Sequence, residues 1–185
     1  MLQMRLLVFL SCLNFIIFNL CECSEYKVLG VGAPCMDILI NLDEESVKTL
    51  GDIGGSIQID STYIQKLLGR FHEKDMILAT GGSASNTIRG LASLGHACGF
   101  YGRRGKDKLG DMFVEAIQKL GIVPLISVSN TSSTQVCLCL ISPDGNRTMR
   151  CYPGAANDTS AAEISPDIFE GVNLVHLEGY SFYMK

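Results

Sequence analysis

A glycine pair followed closely by an asparagine is the part of this sequence best suited to chemistry. It lies in the segment TGGSASNTIRGLASLG, residues 80–95. Gly81 and Gly82 lack a Cβ, so the backbone can adopt a positive φ and bring its N–H groups against a ligand. Asn86 adds two donors and an acceptor on one plane, which suits adjacent hydroxyl groups. The pattern favours a site for a polyhydroxylated small molecule; a glycine turn before an ordinary helix, with Asn86 solvated, fits it as well.

Two acidic side chains extend this pattern. The apolar run at residues 26–32 predicts a buried strand, with Asp37 just past its end, and a second apolar run at residues 174–179 has Glu178 before its final glycine. Ligands of open α/β sheets bind outside the carboxyl ends of strands, where one carboxylate can accept hydrogen bonds from two hydroxyls. We therefore expect Asp37, Glu178 and Asn86 to outline one polar pocket, with a plain turn aspartate as the alternative for Asp37.

The elements that must position these residues alternate between strands and helices. Apolar periodicity predicts strands at 26–32, 36–41, 96–101, 122–128, 134–141, 147–152 and 174–179. It predicts helices at 61–71 with Asp60 as N-cap, at 84–94, at 109–120 and, interrupted by Pro166, at 161–169, and it leaves a glycine-rich region at 51–60. The turn sequence PDGN at 143–146 joins two of the strands into a hairpin. This alternation favours a parallel α/β sheet.

Two further motifs follow the glycine and asparagine motif. GRRGKDKLG at residues 102–110 resembles a loop of glycine, aspartate and glycine that opens a helix, and DGNRT at 144–148 resembles a hairpin turn ahead of a glycine and alanine segment, here PGAA at 153–156. In this order the motifs resemble the ribokinase-like carbohydrate kinase family, the PfkB family, which includes sugar and adenosine kinases. The resemblance covers residues 26–185.

The resemblance implies an α/β fold with a central, mostly parallel sheet sandwiched by helices and a small β lid, truncated at its C-terminus. It implies four residues that hold the hydroxyls of an acceptor molecule, namely Asp37, Gly81, Gly82 and Asn86. It also implies that Glu178 is an acid near the substrate. Arg150 would lie close to the same pocket, where its charge could favour phosphate, or would face outward from its strand.

The activity implied by the resemblance is ATP-dependent phosphorylation of a hydroxyl of a sugar or nucleoside, with ATP and Mg²⁺. The family's second signature, Asp-Thr-x-Gly-Ala-Gly-Asp, carries the catalytic base and does not occur in these 185 residues. No catalytic residue and no residue for ATP or a metal can be named, so we expect the base beyond Lys185 and no turnover from this chain by itself. The alternative is a non-catalytic fragment that binds sugar or forms a homodimer through the lid.

A dinucleotide-binding oxidoreductase is a weaker alternative, suggested by GVGAPC at residues 30–35. The pattern lacks its third glycine, and the chain continues as a strand instead of opening the helix that a pyrophosphate needs.

The composition of the chain argues against a further class of partner. The chain is 47% hydrophobic and 18% charged with a net charge of −4, which fits a globular protein and disfavours nucleic acid as a partner. We read the acidic cluster at 43–45 as a solvated face, and expect an apolar sheet edge that lowers solubility.

The N-terminus and the cysteines favour different compartments. Residues 1–23 carry one positive charge and an apolar run of 15, typical of a secretory signal and short of the about 20 residues of a membrane span, with the kinase-like region at 24–185. Five cysteines follow the leader, at 35, 98, 137, 139 and 151. Their odd number and positions in strands predict buried thiols, which favour cytoplasm or plastid. Cys137 and Cys139 share a strand face, and we expect no metal site there because no His or acid lies near them in the sequence.

Overall fold

The computed structural model describes residues 6–8, 17–19, 25–50 and 53–182. Within the predicted leader, the strands Leu6–Val8 (β1) and Ile17–Asn19 (β2) pair antiparallel. Most of the leader, including the expected cleavage point after Cys23, lies outside the described residues. In the described ranges, no helix is long and apolar enough to cross a membrane.

A parallel sheet of four strands forms the centre of the fold. Its strands are Val28–Val31 (β3), Cys98–Gly105 (β7), Val123–Ser129 (β8) and Leu174–Leu177 (β11), in the order β11-β3-β7-β8. Helices Ser83–Ser93 (α3) and Lys108–Gln118 (α4) pack on one face, where Ile88, Phe100 and Phe113 are fully buried. Both helices are crossover connections, which is why consecutive strands of this sheet run parallel.

A mixed sheet of five strands lies beside it and corresponds to the predicted lid. Its strands are Cys35–Asn41 (β4), Ser56–Gln58 (β5), Ile77–Gly81 (β6), Gln135–Ile141 (β9) and Arg147–Tyr152 (β10), in the order β5-β10-β9-β4-β6. Helices Glu44–Thr49 (α1) and Ser61–Leu68 (α2) contribute Val47, Ile64 and Leu67 to a core with Ile38 and Leu138. Alternation along β4 and β9 therefore buries even-numbered side chains under these helices.

Most predicted elements are confirmed, including the β9–β10 hairpin and the cap of α2, where Asp60 accepts the Tyr63 N–H at 2.7 Å. Helix α1 and the strands β5 and β6 were not predicted, and β5 lies in the region expected only to be glycine-rich. Asp43 accepts the Ser46 N–H at 2.7 Å and so begins α1, within the acidic cluster read as a solvated face. β6 ends at Gly81, the first glycine of the pair. The helix predicted at 161–169 is instead two short 3₁₀ turns, Ala161–Glu163 and Pro166–Phe169.

The last strand, β11, is an edge of the parallel sheet. Leu174, Val175 and Leu177 are all about half exposed, so apolar side chains on both faces of this strand meet solvent. The predicted apolar edge is thus present, whereas its effect on solubility stays a prediction.

Candidate functional site

Asp37 lies within β4, not in a loop past the end of β3. The chain leaves the parallel sheet at Gly32 and enters the five-stranded sheet at Cys35, so Asp37 belongs to the lid sheet. Antiparallel pairing places Cys35 opposite Gly81 and Asp37 opposite Ala79, on one face. A Cβ on Gly81 would lie 2.2 Å from Asp37 Oδ1. Only glycine therefore lets the carboxylate of Asp37 occupy its position against the start of α3.

The carboxylate of Asp37 has few protein partners. Within the described residues its one hydrogen-bond donor is the Cys35 thiol, with Sγ 3.8 Å from Oδ1. Burial raises the pKa of Asp37, while that thiol and the charge of Arg147 oppose the rise. A half-buried carboxylate with only a weak thiol donor keeps most of its capacity to accept hydrogen bonds from a ligand.

The glycine pair leads directly into α3. Gly82 has a φ of 86°, and a Cβ there would lie 2.9 Å from the Ala33 carbonyl oxygen, so both its conformation and its surroundings require glycine. One turn along, the Asn86 N–H donates to the Gly82 carbonyl at 2.9 Å. The carboxylate of Asp37 contacts Gly81, and the backbone of Asn86 lies one helical turn from Gly82, so both predicted residues adjoin the glycine pair.

Arg89 orients the amide of Asn86 and was missed by the sequence analysis. Its Nη1 donates to Asn86 Oδ1 at 3.3 Å and to the Thr80 carbonyl at 3.0 Å. The exposed Asn86 side chain thus turns its oxygen toward Arg89, which leaves its amide nitrogen as a donor to a ligand. The spacing of three residues on one helix was the available signal.

Glu178 joins the end of β11 to the start of α3. It is 5% exposed, and its oxygens accept the Ala33 N–H at 2.8 Å, the Ser83 hydroxyl at 2.7 Å and the Ala84 N–H at 3.2 Å. A carboxylate at a helix N-terminus is favourable because the first N–H groups there lack partners in the helix. Glu178 is therefore a strand-end acid, as predicted, whose carboxylate is occupied in holding the glycine segment in place.

Arg150 lies away from this segment. The register pairs Arg150 with Leu138 and Leu138 with Ile38, whereas Asp37 pairs with Cys137. Arg150 therefore occupies the opposite face of the lid sheet, 4% exposed, where its Nη2 donates to the Leu50 carbonyl at 3.2 Å. Neither the predicted position beside the pocket nor the alternative outward position is observed, because strand alternation turns this side chain into the helix-covered core.

The expectation of no metal site at Cys137 and Cys139 rested on the lack of a nearby acid, and that premise does not hold in space. Asp37, Cys137 and Cys139 place ligand atoms within 4.8 Å of one another. The acid comes from β4, the strand that pairs with β9, and so could not be found by proximity in the sequence. The prediction of buried thiols is confirmed: Cys35, Cys98, Cys137 and Cys139 are buried and free, and Cys151 is free and partly buried.

Comparison with known proteins agrees with this architecture. Residues 55–184, more than half of the chain, match the profile of the pfkB family carbohydrate kinases. The chain belongs to this family. The match begins in the lid, at the edge strand β5, and includes the glycine pair, Asn86 and Glu178.

Relatives of this pfkB-family chain are similar in sequence and in fold. The adenosine kinase of Schizosaccharomyces pombe is 24% identical over 164 residues, which cover 85% of this chain and 47% of the relative. A probable sugar kinase from Rhizobium etli CFN 42 superposes with a TM-score of 0.78 at 25% identity, covering 87% of this chain and 49% of that one. The adenosine kinase of Sinorhizobium meliloti gives 0.78 at 26% identity, with coverages of 88% and 50%. The chain thus spans about half the length of these relatives and has their α/β fold.

Proposed function

We propose that this chain provides the acceptor site of an ATP-dependent kinase that phosphorylates a hydroxyl of a sugar or nucleoside. The observation that carries the proposal is the carboxylate of Asp37, which rests against Gly81 at the start of α3 with only a thiol as donor. Two neighbouring hydroxyls would supply the strong donors that the protein does not. Family membership supports the reaction type.

Each residue of the site has a distinct proposed role. Asp37 accepts hydrogen bonds from two acceptor hydroxyls, and the amide nitrogen of Asn86, turned outward by Arg89, donates to an acceptor oxygen. Gly81 and Gly82 have no Cβ, so the acceptor molecule can approach the backbone closely. Glu178 is a positioning residue, because its carboxylate acts through the start of α3. Arg150 is left out because it faces the other side of the lid sheet.

The surroundings of Asp37 favour a nucleoside over a simple sugar as the first acceptor to test. The same face of the lid carries Met149 together with a cluster of cysteines, and sulfur side chains pack well against aromatic rings. Two of the relatives described above are adenosine kinases. A base with a ribose attached could contact the sulfur-rich face while its hydroxyls bind Asp37.

ATP and Mg²⁺ are implied by the family, and the described residues do not fit the metal. Mg²⁺ binds oxygen ligands in near-octahedral geometry. The one group of three ligand-bearing side chains among the described residues, Asp37 with Cys137 and Cys139, is rich in sulfur. We therefore assign no residue to Mg·ATP and attribute only acceptor binding to these residues.

Isothermal titration calorimetry of the full chain with adenosine, ribose and fructose tests the proposal. Asp37→Asn and Asn86→Ala should each weaken binding about tenfold or more, since a hydrogen bond to a charged group contributes about 1.5–3 kcal/mol and an unpaired buried partner costs about 1–3 kcal/mol. Asp75→Asn and Asn173→Ala are matched controls on exposed positions. Absence of binding to every acceptor, or equal affinities in all four variants, would disprove the site.

A measurement of catalytic turnover tests whether these residues phosphorylate the acceptor or only bind it or form a dimer. The 185 residues lack the segment expected to carry the catalytic base, so we expect acceptor binding without ADP production in a coupled assay with Mg·ATP. ADP formation that depends on the acceptor would show that these residues suffice. A homodimer through the lid stays a prediction, to be tested by light scattering of the full chain.

A further inference from the structure

Three neighbouring strands of the lid bring cysteines and an acid to one face. Asp37 of β4 lies opposite Cys137 of β9, and Cys137 lies opposite Cys151 of β10. Cys139 follows Cys137 by two residues and so points to the same side. The proposed acceptor site uses only the carboxylate of this group.

Part of this group already has the spacing of a metal centre. Cys137 Sγ is 3.9 Å from Cys139 Sγ and 2.7 Å from Cys151 Sγ. Four ligands at about 2.3 Å in tetrahedral geometry have sulfur atoms about 3.8 Å apart. The first pair already has this spacing, and the ligand atoms of Asp37, Cys137 and Cys139 all lie within 4.8 Å of one another. Cys151 Sγ lies closer to Cys137 Sγ than two ligands of one ion do, so the Cys151 side chain must change its position to complete the site.

We propose that Asp37, Cys137 and Cys139 hold a thiophilic divalent cation, Zn²⁺, in a tetrahedral site whose fourth ligand is Cys151 once its side chain has moved. Three sulfurs exclude Mg²⁺ and Ca²⁺, which take oxygen ligands. The carboxylate favours Zn²⁺ over Cu⁺, because zinc accepts sulfur and oxygen together whereas Cu⁺ selects soft ligands. Burial of both β9 cysteines in the centre of the sheet fixes their side chains before the ion binds.

Binding of the cation releases the thiol protons of the ligating cysteines, because a metal requires thiolate ligands.

Zinc binding here has a consequence for the proposed acceptor site, because both use the carboxylate of Asp37. Bound Zn²⁺ should compete with the acceptor, and this consequence rests on the proposed function. Binding of the ion does not rest on it, so the two can fail separately: direct metal titration tests the cation site, and titration of adenosine with and without zinc tests the competition.

Cobalt titration of the reduced full chain tests the site directly. Co²⁺ substitutes for Zn²⁺, and thiolate ligation gives a near-ultraviolet charge-transfer band that zinc then displaces. The parent protein carries Cys12→Ser, Cys21→Ser and Cys23→Ser, so that no thiol of residues 1–23 can bind the metal. In it we compare Cys139→Ala and Asp37→Asn with Cys98→Ala, which removes a buried thiol from the other sheet.

The parent and Cys98→Ala should bind one Co²⁺ with the charge-transfer band. Cys139→Ala should weaken binding at least tenfold and reduce the band, whereas Asp37→Asn should weaken binding and keep the band. Circular dichroism of each variant checks that it is folded, and Cys151→Ala, at the partly buried end of β10, provides a second test if Cys139→Ala does not fold. A parent without the band, or cluster variants that bind like Cys98→Ala, would overturn the proposal.

Discussion

Replacing Glu178 by glutamine should destabilise the whole fold, because this side chain connects the end of β11 and the loop between β3 and β4 to α3. Its carboxylate accepts from Ala33 N, Ser83 Oγ and Ala84 N at 2.8, 2.7 and 3.2 Å. Glutamine offers one oxygen and turns an NH₂ group toward the remaining donor. In its better orientation the oxygen serves Ser83 and Ala84, and the amide nitrogen faces the N–H of Ala33.

The magnitude follows from these contacts. A buried N–H left without an acceptor costs about 1–3 kcal/mol. Loss of a negative charge from the N-terminus of α3 removes about 0.3–1 kcal/mol more, up to about 2 kcal/mol for a partly buried group. We expect the free energy of unfolding to fall by about 2–4 kcal/mol, which moves the urea midpoint on the order of 1 M.

Urea unfolding of the full chain, followed by circular dichroism, measures this change. Glu170→Gln, which makes the same chemical change on an exposed side chain, should stay within about 0.5 kcal/mol of wild type. Ser83→Ala removes one donor and leaves the carboxylate, so it should have a smaller effect of about 1 kcal/mol. If Glu178→Gln unfolds at the same urea concentration as Glu170→Gln, the side chain does not join these elements and the reasoning is refuted.

Three further predictions concern single side chains. In Gly81→Ala, the new Cβ would lie 2.2 Å from Asp37 Oδ1, so the carboxylate must move about 0.8 Å to reach the 3.0 Å that a real Cβ contact needs. Acceptor affinity measured by calorimetry should therefore fall about tenfold to 100-fold. Unchanged affinity would show that Asp37 does not bind the acceptor. Gly90→Ala adds a methyl group to α3 where no heavy atom lies within 4 Å. It should raise the free energy of unfolding by about 0.4–1 kcal/mol and leave acceptor affinity unchanged. A destabilised variant would contradict the helix geometry. Burial raises the pKa of Asp107, but hydrogen bonds, chiefly from Thr134, outweigh it and hold the pKa below its usual value. The resulting stabilisation is complete above the unfolded pKa of about 3.9 and is lost as the pH falls through the folded pKa. The difference in unfolding free energy between wild type and Asp107→Asn should therefore shrink in acid, and a difference independent of pH would disprove this origin.

The elements of the fold were predictable wherever a local signal was strong. The β9–β10 hairpin has a four-residue turn signal, and the strands it joins are apolar. β6 was missed because its five residues directly precede Gly82, and the glycine pair was read as a turn. α1 was missed because its acidic start was interpreted as a solvated cluster. Asp43 is nevertheless a residue type preferred at helix N-caps, and it lies directly before the first helical residue.

The site was predictable in its residue types but less so in its geometry. Asn86 and the glycines are neighbours in sequence, so their common location could be inferred. The contact of Asp37 with Gly81 depends on the pairing of β4 with β6, which local patterns do not encode. The side of the sheet on which Arg150 lies follows from alternation only once the register of β10 against β9 is known. That register also places Cys151 opposite Cys137, and the register of β4 against β9 places Asp37 opposite Cys137.

The bond between Ala33 and Glu178 joins residues 145 positions apart, which affects how a nascent chain reaches its folded state. At about 5–20 residues per second, a ribosome adds Glu178 on the order of 10 s after it has added Ala33. During that interval the amino-terminal strands and α3 are already synthesised, with the apolar face that includes Ile88 not yet secured. We therefore expect this apolar face to stay accessible to chaperones until Glu178 has left the ribosome.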